Sequence, residues 1–175
     1  MAAKSKSRSI ITTLLKRWFI DSLGAMALGL FASLIVGVII SDLIAKIPGM
    51  GFLMDFLTVS GGSLKGVYLL GASSPVIGSA IGVAIAYGLK HKPLVIFSGA
   101  VTGALGYMAT ANNVSAGPVG AYLAALVSCE LVGLYAGKTK LDILLVPLGA
   151  IISGALVANF AAPGVSAVMT GLGSF

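Results

Sequence analysis

The sequence predicts an all-α protein: a polytopic transmembrane helix bundle of about five spans, with one further interfacial or re-entrant segment. Three observations carry this. Five apolar stretches, Trp18–Ile40, Val67–Leu89, Leu94–Ala111, Ala116–Ala136 and Ile143–Ala162, each approach the roughly 20 residues that a helix needs to cross about 30 Å of hydrocarbon. Charged residues make up only 9% of the 175 and hydrophobic ones 58%, whereas a soluble domain usually carries about 25% charged residues. Finally, charge is sorted. Basic loops (Lys4–Arg17, Lys90–His91–Lys92, Lys138–Lys140) alternate with the balanced connection Ser41–Gly66 and the uncharged one Thr110–Ser115. The positive-inside rule then places the N-terminus in the cytoplasm and the C-terminal tail outside.

Residues 1–17 form a basic cytoplasmic or interfacial N-terminus, and residues 18–175 a transmembrane domain. Ile10–Phe19 reads as a short amphipathic helix lying along the membrane interface, anchored by Lys16, Arg17 and Trp18. Asp21 falls one turn after Arg17, a spacing suited to an ion pair. The first apolar stretch is longer than the h-region of a secretory signal, so it reads as a retained span. Ile44–Val59 is interrupted by Pro48, Gly49, Gly51 and Asp55 and reads as interfacial or re-entrant, with Ser60–Ser63 as a hinge. Pro75, inside the second span, either kinks that helix or marks the break in a discontinuous one.

The 24 glycines are patterned. Gly78 and Gly82 are four apart, as are Gly99 and Gly103, and Gly120, Ala124 and Ser128 extend the spacing along span four. Small residues on one helix face let backbones approach closely in lipid, where packing replaces the hydrophobic effect. These four glycines are therefore expected to pack helices together, within a chain or between copies.

Glu130 is the sharpest clue to chemistry, about 9 Å inside the end of span four at Ala136. An ionised, unpaired carboxylate there costs several kcal/mol. It must face the bundle interior or a water-filled path, be protonated, or pair with Lys138, Lys140 or a backbone group. Asn112 and Asn113 sit in the outward loop Ala109–Gly120, where paired carboxamides suit sugar hydroxyls or simply make a turn. His91 reads as a solvated loop histidine, and Cys129, the one cysteine, as a small packing residue that forms no intramolecular disulfide. The chain has no phosphate-cradling loop, HExxH pair or GxSxG elbow, hence no self-contained catalytic site and no expected cofactor or metal. The net charge of +6 resides at the ends of apolar segments, which points to phospholipid headgroups as partners and excludes nucleic acid.

Gly117–Phe160 resembles the membrane proteins grouped as phosphotransferase-system EIIC-like. The likeness is carried by Gly117–Pro118–Val119–Gly120–Ala121, Cys129–Glu130–Leu131–Val132–Gly133 and Gly137–Lys138–Thr139–Lys140–Leu141–Asp142. Within that group it is closest to the toxin-regulator (PfoR-type) branch. The tail Pro163–Phe175, with Met169–Thr170–Gly171–Leu172–Gly173, fits the same resemblance, which covers most of the chain from Trp18 onward. The resemblance implies a sugar permease component in a bacterial plasma membrane, binding a sugar that a separate cytoplasmic phosphocarrier subunit phosphorylates. At most it would be the sugar-binding subunit of a protein-phosphohistidine–sugar phosphotransferase. Family members are usually much longer, which implies a fragment, a half-length paralogue needing a partner, or a homo-oligomer completing the fold. Glu130, Asn112 and Asn113 are the candidate sugar contacts. The alternative is a membrane-embedded regulator or sensor without transport activity.

Overall fold

The computed structural model describes residues 10–49, 52, 74–111 and 114–173. Helix α1 contains the 30-residue apolar run Ile10–Ile39 and continues through the segment Val36–Lys46. It is followed by α2 (Pro75–Gly88), α3 (Pro93–Met108), a minimal hairpin of β1 (Thr110–Ala111) and β2 (Val114–Ser115), α4 (Gly117–Gly133) and α5 (Asp142–Gly173). In the hairpin Thr110 pairs with Ser115 and Ala111 with Val114, antiparallel.

The expected interfacial helix is not separate from the first span. Ile10 onward runs into it without a break, through π-helical turns at Lys16–Asp21 and Phe31–Ile35. At each, a backbone N–H reaches five residues back, Ser22 to Arg17 and Val36 to Phe31. The extra residue per turn lets the helix continue where a bend was expected. After Lys46 the chain turns at Pro48 and Gly49, the latter at φ +89°, a left-handed conformation that glycine adopts without a side-chain clash. Most of Ile44–Val59, all of Ser60–Ser63 and the stretch 67–73 lie outside the described residues.

Proline defines the starts of the three central helices. Pro75, Pro93 and Pro118 each occupy one of the first two helical positions, where a missing N–H costs nothing and φ is already helical. Pro75 therefore begins α2 rather than kinking it, and the Val76 N–H donates to the capping Ser74 Oγ at 3.2 Å. As a result these helices are shorter than the apolar stretches that predicted them. Among the described residues, two helices are long and apolar enough to cross a membrane, Ile10–Ile39 and Asp142–Val168, and α2, α3 and α4 have 14, 16 and 17 residues.

The last helix runs past the predicted end at Ala162, through Pro163 to Gly173. Proline has no N–H for the carbonyl four residues before it, here that of Asn159, yet the helix continues. Beyond it, hydroxyls fold back onto the helix's own carbonyls, Ser166 Oγ donating to Pro163 O (3.0 Å) and Thr170 Oγ1 to Ser166 O (2.8 Å).

Helices α2, α3 and α4 pack mutually, α1 lies on α2, and α5 covers α3 and α4. Ile77, Ile81, Ile85, Leu89 and Tyr107 form one apolar cluster with Ala121, Ala125 and Leu126, while Ala86, Val95, Cys129, Val132, Val146 and Ala150 form another. The α2–α3 seam is made of backbone. A Cβ on Gly82 would overlap Gly99 O, one on Gly103 would overlap Gly78 O, and one on Gly99 would stand 2.9 Å from Gly82 O. Gly106 and Gly120 approach in the same way across α3 and α4. Meanwhile Phe31, Phe97, Ile143, Leu144 and Phe160 point outward. A small-residue interior under an apolar exterior is the pattern expected for a bundle whose solvent is lipid.

Candidate functional site

The helix ends sort the charge. Lys16, Arg17, Lys90, Lys92, Lys138 and Lys140 gather where α1 begins, α2 ends, α3 begins, α4 ends and α5 begins; of the described basic residues only Lys46 lies elsewhere. Glu130 sits one turn before the end of α4 in this region.

Its partner is Arg17. The guanidinium Nε donates to Glu130 Oε1 at 2.8 Å, and Nη2 donates to Leu89 O at 3.1 Å. Neither Asp21, expected to take Arg17, nor Lys138 or Lys140, expected for Glu130, is in the pair. The geometry has a simple cause. Leu89 O is an orphan carbonyl at the C-terminus of α2, where the helix dipole attracts a cation, and Glu130 faces it from α4. Arginine's forked donors can serve both acceptors at once, which a lysine point charge does less well. One side chain thus ties together α1, α2 and α4. The side chains are 37% and 25% exposed, so the pair is half-wet rather than sealed.

The π-helical turn contributes a second tie. Tyr122 of α4 donates to Trp18 O at 2.5 Å, and Ser22 Oγ, which also bonds that carbonyl, stands 3.1 Å from the Tyr122 hydroxyl.

His91 is the third member of the charged group. Helix α2 ends in a Schellman motif: the Lys90 N–H donates to Tyr87 O (2.9 Å) and the His91 N–H to Ala86 O (3.1 Å). Lys90 occupies the left-handed position, φ +58°, usually filled by glycine. This fixes the imidazole over Gly133, where an added Cβ would lie 2.6 Å from His91 Cε1. The side chain is 10% exposed. Its Nε2 is buried without a hydrogen-bond partner, 3.8 Å from Glu130 Oε1. Burial pushes the His91 pKa below its ordinary value, the Glu130 carboxylate pulls it back up, and the Arg17 guanidinium adds to the lowering.

Lys92 donates from Nζ to Ala136 O at 2.9 Å, capping the end of α4 as Arg17 caps α2. The Gly137–Asp142 loop, prominent in the sequence resemblance, is organised by Asp142, whose carboxylate accepts from the Gly137 and Thr139 N–H groups and the Thr139 hydroxyl. A pocket of about 180 Å³ borders Glu130, lined also by Trp18, Leu126, Val127 and Leu131.

Asn112 and Asn113 lie outside the described residues. The strands flanking them are at the far end of α4, some 20 Å from Glu130 at 1.5 Å per residue. The flanking strands and Glu130 therefore belong to opposite ends of α4. Arg17 and His91, both neighbours of Glu130, carry no sequence signal that pairs them with it. The usable signal was electrostatic, since a lone membrane acid demands a cation, but nothing in the spacing says which one.

Fold and charge together define an integral membrane helical bundle with a polarised, ion-paired end. The chain matches the family model described as "Phosphotransferase system, EIIC" over residues 20–175, and it belongs to that family. It is thus a membrane permease component of a sugar phosphotransferase system, with a sugar substrate and cytoplasmic partners of that system. Neither the curated proteins nor the solved structures provide a match.

Proposed function

We propose that this chain binds a sugar and carries it across a bacterial plasma membrane for phosphorylation by a separate cytoplasmic phosphocarrier subunit. The observation that supports this reading is Glu130, a carboxylate within an apolar bundle. Arg17 holds one of its oxygens, and a pocket with an indole wall lies beside it. A carboxylate accepts hydrogen bonds from hydroxyls, and an indole offers a flat apolar face to the C–H side of a pyranose. The basic helix ends support a cytoplasmic N-terminus. In that orientation Asn112 and Asn113 would meet the sugar at the outer face, and Glu130 at the inner one. Assembly as a homo-oligomer belongs to the same proposal. Gly24 and Gly164 present bare backbone on the outer surface, with room for a second helix.

The test is thermal unfolding of the purified chain against a panel of sugars and sugar alcohols. A ligand at 100 times its Kd adds about 2.7 kcal/mol. A selective shift that Glu130→Gln abolishes, with the variant still folded, supports the reading. A folded protein that no sugar stabilises refutes it, and turns attention to a membrane-embedded regulator without transport activity.

A further inference from the structure

Separate from the Glu130 pocket, a larger one of about 390 Å³ opens where α2 ends and α3 begins, lined by Tyr87, Gly88, Lys90, His91 and Ile96. We propose that it is a phosphate-binding site, occupied by the headgroup of an anionic phospholipid with its acyl chains along α3.

Charge, backbone and surroundings support this independently of the sugar site. The pocket is lined by a lysine and a histidine and by no carboxylate. Glu130, 3.8 Å from His91, is already paired with Arg17. Lys92 is spent on Ala136 O, which leaves Lys90 as the pocket's cation, and it forms no described ion pair. The first turn of α3 adds the positive end of a 16-residue helix dipole, although Pro93 carries no N–H and the Val95 and Ile96 N–H groups already donate to Lys92 O. Lys90 also sits where glycine would be least strained. A non-glycine residue held in left-handed conformation is a sign that its side chain is used. The Schellman turn fixes the Cα–Cβ direction of Lys90, which is among the pocket's lining residues.

The surroundings favour lipid as the source of the phosphate. Tyr87 is 73% exposed and Phe97, one turn into α3, is 72% exposed. An amphipathic aromatic beside a basic residue, above an apolar helix face, is the arrangement of a headgroup-level belt. Soluble phosphate esters share the recognition chemistry but have no use for the apolar flank of Ile96 and Phe97.

The experiment is native mass spectrometry of the intact chain, with phosphatidylglycerol, phosphatidylcholine, glycerol phosphate and inorganic phosphate as probes, and thermal unfolding as a parallel readout. Phosphatidylglycerol is expected to be retained and stabilising in preference to phosphatidylcholine. Lys90→Gln should reduce that preference about fivefold, the effect of one basic residue at an anionic surface. Lys90→Gly keeps the turn, removes the cation and should lose the same preference, so misfolding cannot mimic the result. If glycerol phosphate or inorganic phosphate binds as well as the lipid and needs Lys90, the phosphate site stands and its source is soluble. Equal retention of the two lipids with no soluble phosphate bound, or a preference unchanged in both Lys90 variants, overturns the proposal.

Discussion

Arg17 and Glu130 are 113 positions apart and meet at 2.8 Å, while the same guanidinium holds the last carbonyl of α2 through Leu89. The first helix is thereby fastened to two others by a side chain whose ion pair salt can screen. Both partners are partly wet, so the attraction is screened and moderate. In a double-mutant cycle of Arg17→Met and Glu130→Gln, the coupling is expected to be about 1 kcal/mol. Zero coupling would mean that the pair orders the helix ends without stabilising them.

His91 gives the protein a pH dependence with a definite sign. Burial, the largest influence, lowers its pKa in the fold below the ordinary 6.5, with Arg17 acting in the same direction and Glu130 opposing both. The unfolded chain therefore takes up a proton at a higher pH than the folded one. Stability should be level above that value and fall as the pH drops through 6.5 toward the lower folded pKa. Melting curves between pH 5 and 8 should show this loss, and His91→Gln should flatten it. A variant that keeps the full acid slope would assign it elsewhere.

The glycine seam should be intolerant in a graded way. Gly82→Ala forces a Cβ into Gly99 O, contact with backbone that cannot rotate away. A loss of about 1–3 kcal/mol is expected from overpacking of this kind. Within one chain Gly24→Ala meets nothing within 4 Å, so in monomeric detergent-solubilised protein it should be neutral or stabilising by up to about 1 kcal/mol through helix propensity. Unfolding of the two variants side by side separates close packing from mere small-residue composition; similar effects would remove the argument.

Lys90→Gly should raise stability, because a residue at φ +58° loses about 1 kcal/mol relative to glycine there. Chemical unfolding in detergent checks this. A destabilised variant would show that the lysine side chain contributes more to the fold than its backbone strain takes away.

The membrane bundle was legible because composition and charge order are global signals that no single contact can overrule. Glu130 was legible as an acid in need of company, for the same electrostatic reason. Its partner was not. Helical spacing proposed Asp21 for Arg17, whereas the pairing that forms depends on where α2 exposes the Leu89 carbonyl, a fact of tertiary arrangement. Pro75 shows the same limit from the other side. Its fixed φ fits both a kink and a helix start, and only the extended Ser74 before it, at ψ 132°, decides for the start. The Lys90–His91–Lys92 loop hid most. A Schellman turn is ordinarily announced by glycine, and here a lysine stands in its place.

The three short central helices have a consequence for the bilayer itself. At 1.5 Å per residue, α2, α3 and α4 span only about 21 to 26 Å, against about 30 Å of hydrocarbon. Lipid meeting so brief an apolar wall relieves the hydrophobic mismatch by thinning, or water wets the helix ends. Either way the apolar layer beside α2, α3 and α4 would be several ångströms thinner than beside a helix of full spanning length.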